Sequence, residues 1–506
     1  MLTFLTRRVL AGLVTLFVAL FLMYLLVDAA MDPLADLRQS TAPNKAQLID
    51  QRIEQLQLDV NPVVRFFGWL GNAVTGDFGV AWRTGQAVTV LISRAIGSTL
   101  ELVTAATLLS LVLGVAVGIV SALRQYAAFD YIIIFVSFLL YSLPSFWVAV
   151  LLKQWGAIGF NDFLGDPVIS WVVIAAIALL SGLLWMLAVG GGGRRRVQTL
   201  VVAAAATFAM FAFLQLTNWW LQPRVGPVLL AVLGVAAALA IVAIIAGLQN
   251  RRALYASLTT VALGVVLFFP MQQVFDALPL SNWLLAGLGL VTIAVGLLIG
   301  YLFGGPDRGV SARAAALTAF VVGVLIVADQ VMQVWPPYYD ALRSRPIPTF
   351  GDRTPNLGGN FWVGILDSLT HLLLPTLTLI LIAFAAYTRY SRSSMLEVMN
   401  QDYIRTARAK GLPERVVVVR HGFRNTLIPL ATIVPIDVIT LIGGAVITET
   451  VFARPGMGLL FVESLRNAEI EPVMAYLMIT AALAIIANIV ADIVYAVVDP
   501  RIRLDA

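Results

Sequence analysis

The residues able to do chemistry are few, and their spacing excludes most of it. There are three lysines, Lys45, Lys153 and Lys410, and none follows a glycine. A G-x-x-x-x-G-K-[ST] phosphate loop is therefore missing, and the chain does not hold ATP by that device. The two histidines, His371 and His421, stand 50 positions apart with no second ligand beside either. No metal site is expected. Cysteine is absent, which excludes disulfides, thiolate metal sites and cysteine nucleophiles. No nucleophile–base–orienter set can be drawn, so these residues describe a conduit or a scaffold rather than an enzyme.

The remaining candidates are carboxylates inside apolar runs. An ionised group there costs ~2.5–3.5 kcal/mol or more and by default marks a pathway or a pair. Asp437 lies in mid-run near Pro435 and Gly443-Gly444. It could meet an ammonium group on a translocation path, pack as a hydrogen-bonded partner, or sit neutralised. Glu101 and Asp492 lie near the ends of their runs and read as structural, and Asp329 has no assigned partner. Pro144, followed by Ser145 in SLPSFW, should kink its helix and expose backbone carbonyls on the same path. Gly443-Gly444 permits close approach of another helix.

Long apolar segments must position these groups. Apolar residues make up 60% of the 506 and charged residues 12%, against roughly 45–50% and about 25% in soluble domains. Many runs reach about 20 residues, enough to cross ~30 Å of hydrocarbon. The fold class is an all-α polytopic membrane protein. Twelve spans are expected: 9–28, 99–122, 131–152, 168–189, 197–216, 228–248, 253–271, 283–303, 314–334, 372–389, 427–447 and 475–497. With the N-terminus inside, the inner turns carry Arg124, Arg194–Arg196, Arg251-Arg252, Arg308 with Arg313, and the Arg389–Arg424 segment. That obeys the positive-inside rule and places both termini in the cytoplasm of a cell-membrane protein. Arg224, Arg343, Arg345 and Arg353 fall outside and weaken the pattern slightly. The run Val9–Val27 exceeds a signal-peptide core and reads as a retained first span. The net charge of +5 follows topology and does not indicate nucleic acid.

Residues 29–98 form a long outer loop. Within it Pro62–Val74 spaces Val63, Phe66, Phe67 and Leu70 on one helical face, with Trp69 extending it. That helix is expected either on the membrane surface or against the bundle. In the middle of the chain, helix pairs starting near 168, 228 and 283 turn on Arg195, Arg252 and Arg308 and end near Gln215, Gln272 and Gln330. The spacing of about 57 residues suggests a triplicated hairpin.

Between Arg389 and Arg424 lies a basic elbow, YIRTARAKGLPERVVVVRHGFRNTLIP at its centre. Met395, Val398, Met399, Asp402 and Thr406 recur at helical spacing. Gly411 and Pro413 stop the helix. Thr406, Ala407 and Ala409 make a slim tip suited to another protein's groove.

At this point the chain resembles the permease subunits of ABC importers, in particular the dipeptide/oligopeptide/nickel branch. YTRYSRSSMLEVMNQDYIRTARAKGLPERVVVVRHGFRNTLIP (387–429) is similar to that branch's EAA loop, and ITETVFARPGMG (447–458) and VYAVVDPRIRL (494–504) to its last outer loop and C-terminus. GDFGVAWRTGQ (76–86), STLEL (98–102) and SLPSFW (142–147) match its outer loop, second and third spans. The resemblance implies a six-helix type I core, 1–155 plus 371–506, interrupted by an inserted membrane region at 156–370. It implies a coupling loop at 389–425 whose Arg405, Thr406, Ala407, Arg408, Ala409, Lys410, Gly411 and Leu412 dock onto an ATPase. The implied partners are a second homologous permease, two cytoplasmic ATPase subunits holding ATP and Mg, an extracytoplasmic substrate-binding protein and membrane lipid; this chain itself binds no cofactor. The implied activity is uptake of peptides, with nickel or another small solute as an alternative. The family's EAA glutamate is not in place, since counting back six from Gly411 finds Arg405. A proton-coupled transporter using Asp437 or Asp329, or a non-transporting scaffold, are the rival classes.

Overall fold

The computed structural model describes residues 2–430, 433, 434, 437 and 445–498, with side-chain surroundings given between 6 and 490. "Inner" and "outer" below denote the sides to which the arginine-bearing turns assign the helix ends. Lipid offers the backbone no hydrogen-bond partners, so apolar segments satisfy themselves as helices. Helices occupy every expected span except the eleventh, 427–447, which lies largely outside the described residues together with Pro435 and Gly443-Gly444.

Two core helices outgrow their apolar runs. The second span, expected from 99, begins at Val88 and runs to Leu123. The tenth, expected over 372–389, extends through Phe361–Met399 with Pro375 inside it. Hydropathy sees only the part within lipid, whereas the ends continue into water. These two helices pack along much of their lengths, and Leu2–Ala30 pairs with Ile470–Val498.

The third span is not one helix. Ala128–Ser142 stops at Leu143-Pro144, and Ser145–Gly165 departs at 99°. Pro144 thus breaks its segment, a stronger effect than the expected kink, because its ring excludes the preceding residue from helical backbone angles. The re-aimed segment is tied down on its outer side: Asn161 exchanges two hydrogen bonds with Ile347 (2.8 and 3.1 Å), and Lys153 Nζ donates to Val451 O at 3.1 Å.

In the outer loop, the helix Pro62–Val74 has the expected bounds, with Pro62 in its first turn and the Asn61 side chain accepting from Val63 N at 2.9 Å. Its buried face is Phe66, Trp69 and Ala73, packed on Leu20, Tyr24, Val27 and Met474. The expected face is therefore corrected: Val63 and Phe67 are exposed, and the helix lies against the bundle.

The middle region contains three helix pairs. Trp171–Val189 pairs with Gly193–Leu216, Gly226–Ile245 with Arg251–Val266, and Asn282–Gly304 with Arg308–Gln333. The second and third pairs share one core around Leu230, Val261, Phe268 and Val322, which continues into Trp362 and Leu366. The first pair rests instead on Ala128–Ser142, and Gly193–Leu216 buries no residue. Small residues make the close crossings: a Cβ on Gly300 would stand 2.4 Å from the Ala312 Cα.

Candidate functional site

The basic elbow is built from the end of the long helix and a separate short helix rather than from one continuous helix. The long helix ends at Met399; Asn400 donates from its side chain to Leu396 O at 3.0 Å, and Gln401 is extended. A new helix, Asp402–Ala409, then turns away. The single continuous helix expected across Met395–Thr406 is therefore corrected, since a side-chain amide beside the helix end competes for its last carbonyls. Ile404, Ala407 and Val417 bury a small apolar contact with Met399 behind the elbow. Of the eight docking candidates, Arg405, Thr406, Arg408, Ala409, Lys410, Gly411 and Leu412 face outward, while Ala407 points into that contact.

Gly411 adopts φ +73°, a left-handed conformation that suits a residue without Cβ. Across the Gly411-Leu412-Pro413 turn, Arg408 forms a two-pronged pair with Glu414 at 2.7 and 3.1 Å. The Arg408 hydrogen bond holds the Glu414 carboxyl below its ordinary range, and Glu414 in turn raises the guanidinium. Asn425 Nδ2 donates to the Tyr403 hydroxyl at 3.0 Å and closes the elbow from its far side.

The stem of the elbow is anchored more strongly than the elbow itself. Gly114 and Gly118, a small-x-x-x-small pair, let Val88–Leu123 approach the long helix. A Cβ on Gly118 would lie 2.0 Å from Ser391 Oγ and 2.5 Å from Thr388 O. One turn further in, Asp130 is 1% exposed and accepts from Arg392 Nε and Nη2 at 2.7 and 2.9 Å. Ser121 Oγ and Tyr126 N complete its shell at 2.5 and 3.1 Å. Three helices thus meet at one buried carboxylate just before the chain enters the elbow.

At the outer end, two quoted stretches from opposite ends of the sequence form a single knot. Thr99 Oγ1 donates to Glu449 Oε1 at 2.6 Å and accepts from Met457 N at 2.9 Å. Gly458 N and Leu459 N donate to Glu449 Oε2 at 2.7 and 3.2 Å. Arg454, 1% exposed, reaches Glu101 at 3.1 Å. The glycines of ARPGMG are needed for this: a Cβ on Gly456 would stand 2.2 Å from the Glu449 carboxylate carbon. Nearby, the short hairpin Val80–Ala81/Gln86–Ala87 presents Arg83 N to Glu469 Oε1 at 3.0 Å.

Residues 257–504, which contain the elbow and half of this knot, match the family described as binding-protein-dependent transport system inner membrane component. That match covers just under half of the chain. The chain is 47% identical over 156 residues to the oligopeptide transport system permease protein AppB of Bacillus subtilis, covering 31% of the chain and 48% of AppB. It is 26% identical over 501 residues to OppB of Mycobacterium tuberculosis, an oligopeptide permease protein, covering 99% of each. With the dipeptide transport system permease protein DppB of Escherichia coli it shares 41% identity over 145 residues, 29% of the chain and 42% of DppB. The matches to AppB and DppB thus span about half of those relatives or less.

The candidates for a translocation path are not brought together by any described hydrogen bond. Asp437 is half-buried beside the Tyr387 hydroxyl on the long helix. Pro144 is exposed and Ser145 half-buried at the helix break. Asp329 has the partners that sequence reading could not assign: it accepts from Val225 N, Gly226 N, Gln272 Nε2 and Gln333 Nε2 at 2.8–2.9 Å. His371 is buried, with Nδ1 2.8 Å from the Asp367 carbonyl oxygen. Asp130, Arg392, Glu449, Arg454 and Asp367 were missed. The signal for each was a charge at the edge of an apolar run or inside a motif, readable only once its partner is known.

Proposed function

We propose that the chain is the membrane-spanning permease subunit of an ATP-driven importer that takes up di- or oligopeptides delivered by an extracytoplasmic binding protein. Hydrolysis occurs on two separate cytoplasmic ATPase subunits, a second homologous permease completes the pathway, and both termini face the cytoplasm. The division into core 1–155 and 371–506 with an inserted region 156–370 belongs to this reading. It is supported by AppB, of which 156 aligned residues make up 48% against 31% here.

The observation that carries the proposal is the exposed cationic tip Arg405–Leu412, set just beyond the inner end of the long helix, whose stem is locked by Asp130–Arg392. Movement of an ATPase bound at the tip would reach the long helix across the break at Asn400-Gln401. The test is Gly411→Val in the assembled transporter. A Cβ there meets nothing within 4 Å, so the substitution acts only through the left-handed backbone. Membrane insertion should persist while substrate-stimulated ATP hydrolysis no longer drives uptake; unchanged stimulation and uptake would sink the docking assignment.

A further inference from the structure

Among the described residues, the second and third hairpins and the short helix after them meet the long helix and its elbow at two levels, one at each end of the long helix. At the outer end, Asp367 accepts from Thr354 N and Oγ1 at 2.9 and 2.6 Å and from the Tyr338 hydroxyl at 3.1 Å. Tyr338 belongs to the short helix Trp335–Ala341 that follows the last hairpin. Trp362 and Leu366 join the hairpins' own core at the same level.

At the inner end, the guanidinium of Arg415 donates to Ile244 O in the last turn of Gly226–Ile245. Gly247, at φ +79°, leaves the space it occupies: a Cβ there would stand 2.6 Å from Arg415 Nη1. Arg415 lies two residues beyond Pro413, on the return arm of the elbow. The second hairpin is in turn locked to the third, because a Cβ on Gly305 would coincide with the Arg252 guanidinium, and Asn250 Nδ2 reaches Asp307 at 3.4 Å. The inner contact is narrow. Beside it, a cavity of about 550 Å³ separates Val419 from Leu297, Arg313 and Leu317.

We infer that the second and third hairpins are a strut which runs parallel to the long helix and fixes the level of the docking elbow, with Arg415 as its positioning residue. This rests on the elbow being the ATPase contact. The long helix does not continue into the elbow: the chain breaks at Asn400-Gln401, and behind the break the elbow rests on Met399 through a small apolar contact. A rigid body pinned to that helix outside and to the elbow inside removes the freedom the break introduces. Movement of the ATPase is then transmitted to the spans instead of being absorbed at the break. The strut moves with the elbow and need not open during a cycle.

The test uses the complete transporter in proteoliposomes, reading uptake per ATP hydrolysed. Arg415→Ala and Gly247→Val should both retain the ATPase subunits and basal hydrolysis, yet lower that ratio by on the order of tenfold, the weight of a lost charge-assisted hydrogen bond. Arg415→Lys, which can still donate, should recover much of it. The chain has no cysteine, so Ala246→Cys with Arg415→Cys can be joined by a short bismaleimide. The unlinked pair should be uncoupled and the linked pair restored. Normal coupling in Arg415→Ala, or loss of uptake on linking, would overturn the strut. Leu412→Asp separates this from the docking reading. If it releases the ATPase subunits while the Arg415 variants behave as wild type, only the strut falls. If the subunits stay bound and coupled in Leu412→Asp, the docking reading falls with it.

Discussion

Two buried aspartates, Asp130 beside the long helix and Asp329 in the middle hairpins, are satisfied in opposite ways. Asp130 faces Arg392, an ion pair that ties segments hundreds of residues apart. In the hairpins, Asp329 is equally buried, at 1% exposure, but is held by two backbone amides and two glutamine amides. An arginine pair concentrates the stabilisation in one partner, so losing that partner leaves a bare charge in a dry site. Four neutral donors divide it, and each loss is small. The Asp130–Arg392 pair is therefore a place where a single change is severe, and it lies at the stem of the elbow.

Arg392→Ala should be the most damaging change, costing about 3–5 kcal/mol because Asp130 stays buried without its cation. Thermal melting of the detergent-solubilised protein reads this, and adding Asp130→Asn should return part of the loss. Next, Gly118→Leu should cost ~1–3 kcal/mol by forcing Val88–Leu123 off the long helix. Gly97→Leu, on the same helix with open space at its Cβ, should leave the melt unchanged. Asp329→Asn should cost only about 1 kcal/mol, since the glutamine amides can turn to present oxygen to the new NH2. A loss as large as that of Arg392→Ala would end the contrast between the two regions.

The smallest effect belongs to Glu414. Its carboxyl is held below its ordinary range by Arg408, so the pair stabilises the elbow above that range and is lost as pH falls through the lowered value. The pair is exposed, and its weight stays under about 1 kcal/mol. Amide exchange of the 411–416 turn, corrected for its intrinsic pH dependence, should rise on acidification in wild type and be insensitive in Glu414→Gln.

Much of this architecture was legible beforehand. Helix positions followed from apolar runs, a distortion at Pro144, though not a full break, from its ring, and the elbow's stop from Gly411 and Pro413. The glutamines singled out in the middle region turned out to be tethers: Gln215 accepts from Ile169 N at 2.9 Å, Gln272 reaches Asp329 and Gln330 reaches Asp276. What could not be read were pairings across long sequence separation. Thr99 gives no hint that its partner is Glu449, because a hydroxyl opening an apolar helix suits many environments. Nor did helical spacing reveal the break at Asn400, since an amphipathic pattern continues in phase across two residues.

Composition and local backbone chemistry determined that the chain crosses the membrane as helices, where the arginine-rich turns lie, and where proline and glycine interrupt. These are properties of short segments, set by lipid's inability to hydrogen-bond a backbone and by hard steric limits on two residue types. Tertiary structure alone decided that Gly118 meets Ser391, that Asp130 locks the stem of the elbow, and that Arg415 lies against the middle hairpins. Such contacts depend on how whole helices cross, and a crossing is chosen by surfaces that no single segment contains.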